Sequence, residues 1–523
     1  MKVIPSVMTN VSVPRPLWGC RLPAVGLCLL LMSTAAFADT STTAWNGSLS
    51  STWGTAGNWA GSVVPSATVS ALFNSTFSNQ PQLASNVTTQ GIWLASGVGQ
   101  DVTIGKDANA RTINITGTAT LGDQANAGIL MDDSANYDLT LGDASAGNYV
   151  IALTNSTGFY VNNSGTLTLT GSSNLNIGNG NTLTLGGSNA LGQIVISKGI
   201  ATSTGAIVVN TAGSVSLNNQ NSYTGGTTLT AGTLNLGNAR ALGNVTPGTF
   251  TINGGTIDNT SGGALTIGNS LPISIGGDFA FKGTNNLNMG AGAVNLTGGT
   301  RTITTTAGTL TIATAISNGG LSKAGAGTLA LSGNSTYASA TTVSAGTLLL
   351  STGGSINASA GISVSGGATV QNANGSSVTP TLTLAEGASL LTSAASSAFA
   401  PTSLTLSGNL SDGWTAISLT ASLGNGLIKS GSLTLSLTGI TAGTYNLTSG
   451  SAFSGSFSSA NVNGSALTGS GSDFVGTNIG GYNFSFTNST NQLLVSAVPE
   501  PQTWALLAIS LTCTLILRRR IQF

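Results

Sequence analysis

The chain has 523 residues, of which only 5% are charged, and 14 basic residues balance 14 acidic ones to a net charge of zero. This length exceeds one ordinary domain, and the charge balance argues against nucleic acid or anionic lipid as a partner. Histidine is absent and the three cysteines are Cys20, Cys28 and Cys513, which excludes a Ser-His-Asp or Cys-His catalytic device and a histidine-bearing zinc site. The sequence indicates no cofactor.

Residues 1–38 have the composition of a secretory signal peptide. Basic residues come first, an apolar run follows over Leu22–Met32, and Ala36 and Ala38 frame an A-x-A cleavage site. We predict a signal helix that is removed on export. The alternative, an N-terminal membrane anchor, is disfavoured because the apolar run is short and ends in small residues.

Residues 39–67 contain Trp45, Trp53 and Trp59, three of the seven tryptophans of the chain. Two interpretations compete. The rings could form a stacking platform for sugars, or they could cover the exposed end of a repetitive fold, which needs a distinct cap. We favour the cap.

Short strands separated by turn residues fill residues 68–370. Each run alternates apolar with small polar side chains, and Gly, Asn or Asp bounds it. Disorder would not maintain a period of two, and an antiparallel sandwich needs a more aromatic core. We therefore predict an all-β fold, a right-handed parallel β-helix or β-solenoid of on the order of 20 coils, with a C-terminal antiparallel β cap. The strands predicted in the first part of this body are Asp101–Ile104, Thr112–Ile115, Tyr137–Leu141, Thr166–Leu169, Leu175–Ile177, Thr182–Leu185, Ile194–Ile196, Ala206–Val209 and Ser214–Leu217.

Two stretches of this body repeat one pattern. Asn221–Gly237 and Tyr337–Leu350 share a Tyr, a Thr-Thr pair and Ala-Gly-Thr-Leu at the same offsets. They resemble the autotransporter-associated β-strand repeat, also called the passenger-associated transport repeat. The resemblance implies a β-helical passenger displayed outside a Gram-negative cell. It also leaves a question of export, because no set of amphipathic membrane strands follows.

Beyond the body, residues 371–400 are rich in Ala and Ser, and we predict a loose transition there. Residues 401–497 are more aromatic and are predicted to form the C-terminal β cap. Within this region Tyr482–Phe486 and Leu493–Val495 flank a turn, which is the signature of a hairpin. Three more strands are predicted over Ser403–Leu406, Ser432–Leu437 and Thr444–Leu447.

Residues 498–523 have three parts in order: a Pro-Glu-Pro motif, an apolar segment predicted as a hydrophobic helix, and a basic end. They resemble a PEP-CTERM sorting signal, which implies an exosortase as processing partner, transient anchorage in the inner membrane, and release to the outer envelope, cell surface or extracellular matrix, often alongside exopolysaccharide. A permanent transmembrane anchor is the alternative. The residues that match the signal are Val498, Pro499, Glu500, Pro501, Arg518, Arg519 and Arg520.

One cluster of side chains is a candidate for chemistry. Carboxylates on successive turns could hold Ca²⁺ or act with Lys or Arg in polysaccharide cleavage. Their spacing matches neither the EF-hand loop nor the glycine-rich nonapeptide calcium repeat, and Asp is also an ordinary turn residue. We favour solvated turns and predict no catalytic and no metal residue. The cluster consists of Asp123, Asp132, Asp133, Asp138 and Asp143.

Two hypotheses follow. The first is an exported, non-catalytic β-solenoid with a structural or adhesive role at the cell surface or in the matrix. The alternative is a lyase-like, polysaccharide-active enzyme on a parallel β-helix.

Overall fold

The computed structural model describes residues 41–132, 136–142, 148–171, 174–201, 203–243, 248–268, 270–423, 425–450, 453–469 and 473–498. All of them belong to one compact unit, Asp39–Phe523. The predicted signal peptide and every residue of the sorting signal except Val498 lie outside this set. Within it, no helix is long and apolar enough to span a bilayer.

The described residues form an all-β parallel solenoid of about 16 turns. Two 3₁₀ turns, Ala56–Asn58 and Ala60–Ser62, are the helical elements of this part of the chain. The first 25 strands are β1 (Thr42–Ala44), β2 (Ser70–Phe73), β3 (Gln82–Leu83), β4 (Val87–Thr89), β5 (Ile92–Leu94), β6 (Val102–Lys106), β7 (Arg111–Ile115), β8 (Ala119–Leu121), β9 (Gln124–Met131), β10 (Leu139–Leu141), β11 (Tyr149–Leu153), β12 (Thr157–Val161), β13 (Thr166–Leu169), β14 (Leu175–Asn176), β15 (Thr182–Gly187), β16 (Gln193–Ile196), β17 (Ala206–Leu217), β18 (Thr227–Leu236), β19 (Phe250–Ile252), β20 (Thr256–Asn259), β21 (Leu265–Thr266), β22 (Ile273–Ile275), β23 (Phe279–Phe281), β24 (Leu287–Asn288) and β25 (Val294–Leu296).

The second half continues in the same way, with strands of two to seven residues. These are β26 (Thr300–Thr305), β27 (Thr309–Ile312), β28 (Ile316–Ser317), β29 (Gly320–Ala324), β30 (Thr328–Leu331), β31 (Thr341–Val343), β32 (Thr347–Leu350), β33 (Gly361–Val364), β34 (Thr369–Asn372), β35 (Ser377–Val378), β36 (Thr381–Ala385), β37 (Ser389–Ser393), β38 (Ala398–Phe399), β39 (Ser403–Asn409), β40 (Ile417–Leu423), β41 (Gly426–Lys429), β42 (Ser432–Thr438), β43 (Gly443–Asn446), β44 (Thr448–Ser449), β45 (Phe453–Gly455), β46 (Ser459–Val462), β47 (Ser465–Ala466), β48 (Asp473–Ile479), β49 (Tyr482–Thr487) and β50 (Gln492–Ala497).

Parallel ladders join each coil to the next. One ladder runs through β10, β13, β16, the second half of β17, the second half of β18 and β20. A nine-stranded sheet from β21 to β44 forms a further face. Because side chains alternate along each strand, every second residue of a ladder points into the core. Leucine, isoleucine and valine occupy these inward positions, which confirms the predicted parallel solenoid; its hand stays a prediction.

The estimate of about 20 coils was too high. Along the ladder just described, the inward residues Leu139, Leu167, Ile194, Val215 and Leu234 stack on one another. The first two steps span 28 and 27 residues and the later two span 21 and 19. The early coils are therefore longer than the expected repeat, and fewer of them fit in the chain.

The predicted loose transition at residues 371–400 is wrong. Strands β36 and β37 pair in parallel with the coils on both sides, and Leu390 and Phe399 are buried. The small Ala and Ser residues between Leu390 and Phe399 form tight turns at a corner of the solenoid, although their composition resembles that of a linker. Parallel pairing continues to β46, well into the region predicted as the cap.

An antiparallel sheet joins β43, which precedes the last parallel strands, to β48, β49 and β50, which follow them. It contains the predicted hairpin, with Phe484 opposite Val495 and Phe486 opposite Leu493. These four side chains are buried, so the alternation read from the sequence does mark one inward face.

The three tryptophans of residues 39–67 are buried. Trp59 makes edge contacts with Trp45 and with Trp53, each at 4.8 Å between ring centroids, and none of the three is more than 1% exposed. Buried rings have no face to offer a sugar. These rings extend the core through Phe73 of β2, and the cap stays our prediction.

Candidate functional site

The two similar stretches contain the same buried hydrogen bond. The hydroxyl groups of Tyr223 and Thr227 are 2.5 Å apart, and those of Tyr337 and Thr341 are 2.8 Å apart. Burial raises the pKa of both tyrosines, that of Tyr337 to about 12. Each phenol therefore stays protonated and can donate, so the shared Tyr and Thr hold one coil together internally instead of facing a ligand.

The shared Ala-Gly step turns the chain between two faces of the solenoid. Gly232 and Gly346 have φ values of +83° and +63°. A Cβ at Gly232 would lie 2.5 Å from the carbonyl oxygen of Thr211, and one at Gly346 would lie 2.4 Å from that of Gly325. Glycine is needed at both positions for its conformation and for this close approach. In the first copy the runs on both sides of this step form one continuous strand, β18, bent at this point.

Replacing the buried tyrosine by phenylalanine should destabilise the two copies to different extents. Removing the Tyr223 hydroxyl is expected to cost about 1–2 kcal/mol, because the buried Thr227 hydroxyl loses its bond. Tyr337→Phe should cost less, since Thr341 also bonds the Ser359 hydroxyl at 3.1 Å. Thermal unfolding followed by circular dichroism measures both, with the exposed Tyr137→Phe as control. Equal losses of stability in Tyr223→Phe and Tyr337→Phe would contradict this account of the two hydrogen bonds.

The acidic cluster does not come together as one site. Asp123 lies in an exposed turn and lines a cavity of about 230 Å³ with Asp132, Asn162, Gly122 and Leu130. Asp138 instead accepts a hydrogen bond from the amide of Thr166 at 2.7 Å. Asp133 and Asp143 lie outside the described residues. Among the residues that the structure describes, no three His, Cys, Asp or Glu side chains are placed to share a metal ion.

Asp138 belongs to a device that recurs along the solenoid. A polar side chain at a corner accepts the backbone N–H of a residue in the next coil, at 2.7–3.1 Å. These bonds satisfy amides at the corners, where the ladders are interrupted. With the accepting side chain first and the donating amide second, the pairs are Asn86–Thr112, Asp101–Asp138, Asp138–Thr166, Ser156–Thr182, Asp278–Thr302, Asn286–Thr309 and Asn357–Thr379.

Four lysines lie inside the solenoid, which the sequence analysis did not predict. Lys106, Lys198, Lys323 and Lys429 are at most 5% exposed. Lys198 donates to the carbonyl oxygen of Tyr149 at 2.7 Å, and its Nζ lies 4.9 Å from the centre of that ring. Burial lowers the pKa of Lys198 and of Lys323 to about 8. Each of the four ammonium groups donates to at least one backbone carbonyl oxygen.

These groups predict that stability rises between neutral and alkaline pH. From about pH 8 to pH 10.5 the unfolded chain binds protons at Lys198 and Lys323 that the folded chain has released, so the free energy of unfolding increases with pH by on the order of 2 kcal/mol per lysine. Above about pH 10 the sign reverses, because the folded state keeps the phenol protons of Tyr223 and Tyr337. Melting temperatures should therefore peak near pH 10. Lys198→Met should make the increase of melting temperature with pH smaller. A wild-type melting temperature that falls from pH 8 to pH 9.5 would contradict the prediction.

A small antiparallel hairpin lies on the outer face of the early coils. Strands β8 and β9 pair with each other, while β9 also joins the parallel ladder between β5 and β12. Beneath this hairpin is a second apolar cluster, separate from the solenoid core, with Trp93 and Tyr160 packed at its edges. The cluster is Ala119, Leu121, Ala127 and Leu130.

Of the predicted sorting motif, only Val498 lies within the described residues. Its amide donates to the carbonyl oxygen of Gly481 at 2.9 Å. The other motif residues, and Ala36 and Ala38 of the predicted cleavage site, lie outside the described residues.

Comparison with known proteins identifies the repeat. Residues 212–236 and 321–350 match the family model described as passenger-associated-transport-repeat. Both matches contain the Tyr-Thr bond and the Ala-Gly bend. This repeat is characteristic of secreted passenger proteins of the autotransporter type, which indicates export. No curated protein and no solved structure matches the chain.

Proposed function

We propose that the protein is an exported, non-catalytic β-solenoid that serves as a structural or adhesive component of the cell surface or extracellular matrix of a Gram-negative bacterium. The observation that carries this proposal is that both transport repeats form parallel-paired strands of the same solenoid. In these repeats the shared residues build the coil itself. The family resemblance therefore supports a scaffold and assigns no reacting group.

The proposal includes the route. The signal peptide of residues 1–38 directs export, residues 498–523 hold the chain transiently in the inner membrane, and an exosortase-type enzyme cleaves near Pro499–Pro501 before release. The partners are this processing enzyme and exopolysaccharide or other envelope components. Support comes from the order of the motif, the apolar segment and the arginines in the sequence.

The enzyme alternative has less support. Polysaccharide cleavage on this scaffold would need several carboxylates and a cation converging on one groove. Asp138 instead bonds a neighbouring coil, and no basic residue is among the described residues that line the Asp123 and Asp132 cavity. If the full chain released reducing ends from polygalacturonate, and Asp132→Ala abolished the release, the non-catalytic proposal would fail.

Intact-mass analysis of the protein from an exosortase-bearing Gram-negative host tests the route. We expect envelope or medium fractions to contain a species that begins at Asp39 and lacks Arg518–Phe523. Pro501→Ala should accumulate in the inner-membrane fraction with its C-terminus intact, whereas Pro401→Ala, outside the motif, should be processed normally. Wild-type protein that retains Arg518–Phe523 in the outer envelope would refute the route.

A further inference from the structure

The outer face beside the β8–β9 hairpin has an aromatic ring lying flat on the backbone. Tyr160 is half-buried and follows Gly158 on the same strand, β12. A Cβ at position 158 would lie 2.2–2.4 Å from Cε2, Cζ and Oη of this tyrosine, and a Cβ at position 186 would lie 2.7 Å from its Cδ1. Gly186 is the partner of Tyr160 on the next coil. The ring thus covers two adjacent glycines, and no other residue would leave room for it.

The hairpin turns this ring into one side of a groove. Tyr160 packs against the apolar cluster of the hairpin, in register with Leu130 and, one coil further, Trp93. The groove has a volume of about 200 Å³ and is lined by Ala125, Asn126, Ser156, Thr157, Gly158, Tyr160, Thr182 and Thr184. This is below the roughly 300–1,000 Å³ of a site that encloses a drug-sized ligand, and it suits one unit of a longer chain.

The chemistry of the lining selects the ligand class. An aromatic face packs against apolar C–H groups, and the surrounding hydroxyl and amide groups exchange hydrogen bonds. None of the described residues that line the groove is charged, and the neighbouring cavity carries Asp123 and Asp132, so an anionic polymer would be repelled. A sugar ring presents an apolar face rimmed by hydroxyl groups. Burial raises the pKa of Tyr160, so its hydroxyl remains a donor at neutral pH.

We propose that this groove binds one sugar unit of a neutral polysaccharide, with the Tyr160 ring as the stacking surface and Asn126, Thr182 and Thr184 as polar contacts. The inference deepens the proposed function, on which it rests, by naming a site and a class for the polysaccharide partner. Sugar binding can be tested separately from export, because the purified chain either binds the sugar or does not, whatever its location in the bacterium.

Calorimetric titration of the purified full chain with cellohexaose, laminarihexaose and maltohexaose tests the proposal, with oligogalacturonate as the anionic probe. We expect at least one neutral hexasaccharide to bind and oligogalacturonate not to bind. Tyr160→Ala should weaken binding about tenfold or more, because the stacking surface is lost. Tyr160→Phe should retain most of the affinity. The exposed Tyr137→Ala is the matched control and should bind as the wild type does.

Gly158→Ala provides a second, independent test. Its added Cβ would collide with the ring of Tyr160 and lift the ring from the strand, although the tyrosine itself remains. We expect a loss of binding similar to that of Tyr160→Ala, in a protein whose circular dichroism and melting profile confirm the fold. The proposal is overturned if no neutral hexasaccharide binds, if only the anionic probe binds, or if folded Tyr160→Ala binds as tightly as wild type. None of these outcomes bears on whether the chain is exported and processed.

Discussion

Trp59→Ala is expected to lower the free energy of unfolding of the N-terminal coils by about 3–5 kcal/mol. The ring of Trp59 is buried between those of Trp45 and Trp53 and also contacts Phe73. Its Nε1 donates to the carbonyl oxygen of Trp53. Removing the ring leaves a cavity among three aromatic side chains at the start of the solenoid.

Because neighbouring coils are stabilised by each other, the damage should be greatest at the N-terminal end. Hydrogen exchange followed by mass spectrometry should show faster exchange in β1, β2 and β5, and little change in β39 and β42. Leu49→Ala is the control from the same segment, since that side chain is 69% exposed. Uniform acceleration along the chain, or none near Trp59, would show that the tryptophans do not act as a local cap.

Lys323→Met is expected to destabilise the protein by about 2–4 kcal/mol at neutral pH. The ammonium group donates to the carbonyl oxygens of Ala324 at 2.8 Å, Gly325 at 2.7 Å and Ala345 at 3.0 Å. Buried carbonyls that lose their donor cost about 1–3 kcal/mol each, and relief of the buried charge offsets part of the total.

The matched control for this change is Lys282→Met. Lys282 is an exposed lysine whose Nζ lies 3.7 Å from a carboxylate oxygen of the buried Asp258. Asp258 also accepts hydrogen bonds from the amide and hydroxyl of Thr284, so loss of Lys282 leaves that carboxylate hydrogen-bonded and should cost less than loss of Lys323. Urea or thermal unfolding should separate the two variants clearly. If Lys323→Met were as stable as Lys282→Met, relief of the buried charge would outweigh the three hydrogen bonds, and the ammonium group would not be the stabilising element of that corner.

The sequence predicted the solenoid well because its two determinants are local. Alternation as in Thr166–Leu169 reveals an inward face, and glycines such as Gly232 mark the corners. Coil number and the stretch at 371–400 were misjudged for one reason. Corners can consist of any small residues, so neither their composition nor their length reports where a coil ends.

The positions of two buried lysines could have been predicted from the alternation of inward and outward residues. Lys323 lies two residues after the inward Leu321, and Lys429 lies two residues after the inward Leu427, so the period of two places both lysines in the core. The expectation that charged side chains face water concealed this. The carbonyls that hold Lys323 belong to two coils, and no local pattern predicts their convergence.

The groove at Tyr160 was beyond sequence reasoning for a different reason. Its lining comes from the hairpin and from two later coils, which are brought together only by the register of β9, β12 and β15. None of the predicted strands contains Tyr160, Gly158 or Gly186. Their meaning depends on being adjacent across a ladder.

The corner hydrogen bonds affect how a solenoid of this kind can evolve in length. Each bond, such as that from the Thr166 amide to Asp138, joins one coil to the next. A duplication or loss of one complete coil therefore breaks and remakes contacts at a single junction. The spacing between the two ends of the scaffold can therefore vary in steps of one coil while the sequence of each end stays unchanged.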